Sequence, residues 1–195
     1  MKRKERKERK AGVINRTSTE REVNDFYATD PKAIEELLKI EKFSPNIWEC
    51  ACGQGHLSEV LKNHGYNVKS TDLIDRGYGE GNVDFLKCQE PFDGDILSNP
   101  PYKFAQEFVE QALKIVSKGN RVAMLLKLTF LESKARAEFF AKYPPEYIYV
   151  SSSRIQCAKE GNFEKYKNTG SETAYAWFIW RKDSPAIEPK VRWFN

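Results

Sequence analysis

The chain is poor in the residues that build metal centres and disulfide frameworks: its 195 residues include two histidines, two methionines and four cysteines. His56 and His64 lie too far apart on one predicted helix to be ligands on adjacent turns, and Cys50, Cys52, Cys88 and Cys157 lack paired metal-ligand spacing. No metal site is therefore expected, and reduced, mostly buried thiols are the default. No run approaches the roughly 18 apolar residues of a membrane span, and the N-terminus lacks the apolar segment of a secretory signal. A cytoplasmic protein with no membrane partner is expected. Internal repeats are absent as well. A hydrophobic content of 40% over this length is enough to bury one substantial core, and does not require two.

Excess positive charge is also confined to one place. The formal net charge is +4; the first ten residues hold seven Lys or Arg against two Glu, a net of +5, which leaves −1 for the rest. Met1 to Arg9 shows no apolar periodicity, so residues 1–20 are read as a flexible basic arm and 21–195 as one domain. Such an arm neutralises phosphates without reading bases, which makes nucleic acid, DNA first, the expected partner class. A solubilising terminus is the other reading of the same residues. Nothing in the sequence speaks to oligomeric state.

The most informative stretch is Asn99-Pro100-Pro101-Tyr102, which follows Asp95-Ile96-Leu97-Ser98, an apolar run read as a buried strand. An Asn before proline is pushed to extended geometry, and two prolines fix φ, so the acceptors here are held rigidly. Asn99 offers a side-chain carbonyl, Pro100 a backbone carbonyl, and Tyr102 a flat ring beside them. That set suits a planar amine, whose two hydrogens are drawn to fixed acceptors while its π-face packs on the tyrosine. A turn that merely ends a strand is the competing reading, so the neighbours must decide.

Upstream, Pro45 to Ala51 reads as a strand that runs into Cys52-Gly53-Gln54-Gly55, a glycine turn opening a helix that closes at Gly65. Glycines let backbone approach a ligand closely, and a helix start favours an anionic group. Tyr66 to Thr71 reads as a second strand ending at Asp72, near the spacing of about 20 residues at which an acid meets ribose hydroxyls in doubly wound folds. Asp75 is the alternative ribose ligand. In a parallel sheet the carboxyl ends of the strands share one edge, so Gly53, Asp72 and Asn99 are expected to converge on one crevice.

With these residues in place, the chain resembles the class I S-adenosylmethionine-dependent methyltransferases, in particular the amino-methyltransferases with an Asn-Pro-Pro-Tyr motif. It looks most similar to the small adenine-N6 DNA methyltransferase-like proteins of phages and prophages, over most of residues 22–182. The resemblance implies an α/β, Rossmann-like, mainly parallel sheet with helices on both faces and an antiparallel last strand, and it implies S-adenosyl-L-methionine as cofactor. It places Glu49, Ala51, Gly53 and Gly55 at the methionine part of the cofactor and Asp72 at the ribose. Asp84 and Phe85, after a short third strand, fall at the adenine. Phe26 to Pro31, including Tyr27 and Thr29, matches a segment that covers the cofactor, although Ala28 and Asp30 interrupt it. Asn99, Pro100, Pro101 and Tyr102 are the implied catalytic residues, with Asn99 also beside the cofactor. Taken alone, Glu49 also reads as a solvated strand-end acid, Asp84 as a surface residue and Phe85 as core.

The implied reaction is methyl transfer to an exocyclic amino nitrogen, adenine N6 of DNA first. An RNA adenine methyltransferase would use the same tetrapeptide, as would a protein-glutamine methyltransferase, although the short, charged segment before Glu49 leaves little room for the latter family's helical recognition domain. A non-catalytic nucleic-acid-binding module is the reading from another class. Further along, helices are predicted from Asp30-Pro31, as cap and first residue, after Tyr102, and over Phe130 to Tyr143. Strands are predicted at Arg121 to Leu128, Glu146 to Val150 and Ala174 to Trp180, with a long polar loop over Ser151 to Ser171.

Overall fold

The structure is a computed structural model that describes residues 27–153, 155, 157–159, 173–183 and 188–194. The predicted basic arm, the domain boundary after residue 20 and most of the polar loop before Thr173 lie outside the described residues.

Four short segments form the parallel half of a seven-stranded sheet: β2 (Asn46–Glu49), β3 (Asn67–Ser70), β4 (Asp95–Ser98) and β5 (Arg121–Lys127). They are ordered β3-β2-β4-β5, with Glu49 opposite Ser70, Trp48 opposite Ile96 and Leu97 opposite Ala123. Each is linked to the next by a crossover, the arrangement that keeps their carboxyl ends on one edge. β8 (Tyr175–Arg181) then runs antiparallel between β5 and β6 (Tyr147–Ser151), and β9 (Lys190–Phe194) closes the far edge parallel to β6. The mainly parallel, doubly covered sheet and the antiparallel Ala174 to Trp180 strand follow the expectation.

Side-chain alternation along the buried strands supplies both faces. Ile96, Val122 and Met124 face α3 (Ala105–Ile115) and α4 (Lys134–Lys142), through Val109, Ala112 and Phe139. Leu97, Ala123 and Leu125 face α1 (Lys32–Ile40) and α2 (His56–Asn63), through Ile34, Leu37, Leu57 and Leu61. α1 starts one residue later than the predicted Asp-Pro start: Pro31, at φ −48°, is the cap and Lys32 the first helical residue, while Asp30 Oδ1 accepts from Lys32 N at 3.0 Å.

Three local expectations are corrected. The strand before Asp84 does not form: Thr71 and Glu80 make a single bridge, and Asp84 instead caps a 3-10 helix at Phe85–Lys87 by accepting from Leu86 N at 3.2 Å. The helix predicted from Phe130 is split into a 3-10 turn at Leu128–Leu131 and α4, because Ser133, at φ 113°, turns its hydroxyl to Ala135 N at 3.2 Å. The polar loop after Ser151 contains β7 (Cys157–Lys159), antiparallel to β1 (Tyr27–Thr29) in a separate two-stranded ladder. β9 was not foreseen: as an edge strand its alternating Lys190, Val191, Arg192 and Trp193 remain exposed and do not read as core.

Among the described residues no helix is long and apolar enough to cross a membrane, and no group of three His, Cys, Asp or Glu could hold a metal ion.

Candidate active site

The site grows from the turn between β2 and α2. Gly53 and Gly55 adopt φ of 56° and 86°, a left-handed backbone that L side chains rarely take. Space demands glycine too: a Cβ on Gly55 would lie 2.5 Å from the ring of Tyr78. That ring is fixed by its hydroxyl, which donates to Glu59 Oε1 at 2.6 Å and accepts from Lys62 Nζ at 2.7 Å. The turn is pinned to the end of β3 by two backbone donors. Cys52 N donates to Thr71 O at 2.9 Å, and Gly53 N donates to Asp72 Oδ2 at 2.8 Å.

Asp72 is a buried hub. Its Oδ1 accepts from Ile74 N at 2.9 Å, its own N–H donates to Glu80 O at 3.0 Å, and its carbonyl accepts from Val83 N at 3.0 Å. Each carboxylate oxygen keeps further acceptor capacity beside these bonds. Asp75, the alternative, is exposed and accepts from Gly77 N at 2.9 Å.

Beneath the turn lies a closed polar chain. Glu49, 2% exposed, is hydrogen-bonded to Ser58 Oγ, which lies 2.6 Å from Ser70 Oγ. Burial pushes the Glu49 carboxyl up to about 8, against the opposing Ser58 bond, so at neutral pH it is held largely protonated. Glu49 is thus no solvated strand-end acid. Burial also drives the Cys50 thiol well up and Cys52 to about 12, which leaves no thiolate here at neutral pH.

One strand away, β4 delivers the tetrapeptide to the same edge. Pro100 is buried, while Asn99 and Pro101 are half-buried and Tyr102 opens a 3-10 turn at Tyr102–Phe104 that leads into α3. Asn99 Nδ2 donates to Thr29 Oγ1 at 2.8 Å, and the Tyr102 hydroxyl donates to Cys157 Sγ at 3.5 Å. Lys127 Nζ, from the end of β5, lies 4.7 Å from the centroid of the Tyr102 ring, and Tyr175 packs against that ring at 5.9 Å. Burial holds the Tyr102 phenol well above its ordinary range and Cys157 near 11, so both remain neutral.

The structure therefore brings Glu49, Ala51, Gly53, Gly55, Asp72 and Asn99 to Tyr102 to three neighbouring strand ends, with Thr29 tied to Asn99. Tyr27 is described through its backbone alone, in β1. Phe85 belongs to the core: 2% exposed, it packs edge-to-face with Trp48 at 5.3 Å and tilted against Phe108 at 5.2 Å. Asp84 pairs with Lys87 at 2.9 Å. The roles of Cys157 and Tyr78 were not legible in the sequence. The first lies 55 residues from the tyrosine it touches, and no local pattern marks such a contact.

No family model matches this sequence, and no curated protein matches it. The fold is shared with many solved structures. A Listeria monocytogenes protein provisionally described as a class I S-adenosylmethionine-dependent methyltransferase superposes with a TM-score of 0.54 at 15% identity, over 84% of this chain and 61% of its own. A Lactococcus lactis protein provisionally described as a hemolysin superposes at 0.55 and 14% identity, over 83% of this chain and 89% of its own. For an S-adenosylmethionine-dependent O-methyltransferase from Thermotoga maritima the values are 0.51 and 13%, over 80% and 66%. At such identities the likeness is one of fold: the chain has a Rossmann-like sheet of the kind found in methyltransferase structures, and it spans less than two thirds of the Listeria chain.

Proposed function

We propose that this protein transfers the methyl group of S-adenosylmethionine to an exocyclic amino nitrogen, with adenine N6 of DNA as substrate. The observation that carries the reading is the adjacency, on one sheet edge, of the Gly53–Gly55 turn, Asp72 and the Asn99 to Tyr102 cluster. The residues fit such a cofactor. The left-handed glycines open the N-terminus of α2, whose partial positive charge suits the methionine carboxylate, and Asp72 keeps lone pairs for ribose hydroxyls. When bound, the cofactor supplies an electrophilic methyl on a sulfonium, so the protein needs neither a metal nor a thiolate nucleophile.

The work of the chain is then positioning. Asn99 and Pro100 carbonyls accept the two hydrogens of the amine and stabilise the charge that develops on nitrogen, while Tyr102 gives the flipped base a stacking surface. Good orientation of two reactants lowers a barrier by about 7 to 11 kcal/mol at best. Lys127 beside the Tyr102 ring adds a cation where a phosphate backbone would approach. The fold neighbours include methyltransferases, which favours methyl transfer over a purely binding module.

Incubation of the protein with S-adenosylmethionine and, in separate arms, DNA, RNA and glutamine-bearing peptides, followed by mass spectrometry of the nucleosides and peptides, tests the reading. N6-methyl-2′-deoxyadenosine from the DNA arm is expected. Product from the RNA or peptide arm alone would reassign the substrate, and no product from any arm would overturn the enzyme.

A further inference from the structure

Asn99 and Tyr102 lie at opposite ends of the tetrapeptide, yet both are held by one rung of the small β1–β7 ladder. Thr29 and Cys157 face each other across that ladder. Thr29 Oγ1 takes the Asn99 amide hydrogen at 2.8 Å, and Cys157 Sγ takes the Tyr102 hydroxyl hydrogen at 3.5 Å. We infer that Thr29 and Cys157 are positioning residues, which act on the target amine through Asn99 and on the target base through Tyr102. This rests on the reading of Asn99 and Tyr102 as the amine-binding pair, and it assigns Thr29 a task other than covering the cofactor.

The geometry gives each contact a definite consequence. Thr29 is 3% exposed, so its hydroxyl is not exchanged for water. Taking up the Asn99 Nδ2 edge turns the amide's carbonyl edge away from β1. The two prolines fix the backbone of the tetrapeptide but leave the asparagine side-chain torsions open, and Thr29 restrains these. Cys157 does the same for the ring: held at its hydroxyl as well as its stem, and flanked by Tyr175 and Lys127, Tyr102 meets an incoming base with its plane already set. A neutral thiol is a weak acceptor, adequate for orientation and reluctant to take the proton. Ordering these side chains beforehand removes an entropic cost that binding or reaction would otherwise bear. The rung joins β1 to β7, which lie far apart in the sequence, so the acceptor cluster is complete only in the folded domain.

The test uses the full chain with Thr29→Val, which is isosteric, Thr29→Ser, which keeps the hydroxyl, Cys157→Ala and Cys157→Ser. Three quantities are read: the Asn99 side-chain amide signals in 15N-labelled protein, identified by their loss in Asn99→Ala; cofactor affinity; and kcat and KM for DNA. Thr29→Val is expected to shift the Asn99 signals and to lower kcat by up to about 100-fold, the scale set by misplacement of a reacting group by about 1 Å. Cofactor affinity should hold, and Thr29→Ser should restore both effects. In an Asn99→Ala background Thr29→Val should add nothing further. Cys157→Ala should raise KM about two- to tenfold, as for removal of one hydrogen bond, with kcat little changed and Cys157→Ser close to wild type. Unmoved Asn99 signals, or a loss of cofactor affinity in step with kcat, would overturn the positioning role. If the wild type methylates nothing, it is the proposed function that fails, and the Asn99 signals alone then decide whether Thr29 holds the amide.

Discussion

Asp72 Oδ2 accepts the Gly53 amide hydrogen at 2.8 Å, so the acid at the end of one strand fixes the glycine turn at the end of the next. One carboxylate thus shapes the crevice and is also the proposed ribose ligand. Asp72→Ala should weaken S-adenosylmethionine binding roughly tenfold to a hundredfold, as expected for the removal of hydrogen bonds to a charged group worth about 1.5 to 3 kcal/mol. It should also lower the melting temperature without cofactor, because Gly53 N and Ile74 N lose their acceptor. Titration calorimetry and thermal melts measure the two effects separately. Undiminished affinity in the variant would shift the ribose role to Asp75.

Glu49 makes stability depend on pH. Its carboxyl ionises at about 8 in the folded protein against 4.5 for the ordinary group. Between these values the unfolded chain releases a proton that the folded chain retains, so stability is greatest below the lower value and falls as pH rises. The slope is about 1.4 kcal/mol per pH unit at most, and it vanishes above about pH 8. Glu49→Gln, which stays neutral, should remove this slope and make the variant the more stable protein at pH 8, with little difference near pH 4.5. Melting curves of both proteins from pH 4.5 to 9 give the comparison; parallel curves would mean that Glu49 ionises normally.

At the tetrapeptide, chemistry and binding should separate. Asn99→Ala is expected to cost about 2.7 to 4 kcal/mol in the transition state, a rate loss of roughly 100- to 1,000-fold, with cofactor affinity nearly unchanged. Tyr102→Ala should cost about 1 to 3 kcal/mol in holding the base. Tyr102→Phe keeps the ring and should retain most activity, with a KM raised as in Cys157→Ala. Single-turnover kinetics on DNA, with calorimetry of the cofactor, measures all three. A fully active Asn99→Ala protein would remove the tetrapeptide from the chemistry.

The basic arm should contribute affinity without specificity. Deleting residues 2–10 removes seven Lys or Arg and should leave cofactor binding intact while weakening nucleic-acid binding. The slope of log K against log salt should flatten by up to about 0.9 for each duplex phosphate that the arm no longer neutralises. Binding isotherms of full-length and truncated protein at several salt concentrations provide the check, and identical slopes would mark the arm as a bystander.

Local physics made much of this molecule legible in one dimension. Short apolar runs such as Asp95–Ser98 and Arg121–Lys127, set between helical patterns and punctuated by glycine, state a parallel sheet because each carries its own length, period and stop signal. The Gly53–Gly55 turn and the Asn99 to Tyr102 stretch were visible for the same reason: the backbone geometry that glycine permits and proline imposes is a property of the residue itself. Three-residue strands have no such signal. β1 and β7 exist because they pair with each other across the chain, and Phe85 reads equally as ligand contact or core until Trp48 and Phe108 are seen to enclose it. The same holds for charge. That Glu49 is an acid is written in the sequence, but its proton is retained because α2 and β3 bury it beside Ser58 and Ser70, a desolvation that arises only when distant segments pack together. Residue chemistry and the places of the main strands were thus set locally, whereas the order of those strands in the sheet and the rung that joins Thr29 to Asn99 and Cys157 to Tyr102 were decided by tertiary structure, since contacts between remote segments depend on how the whole chain closes.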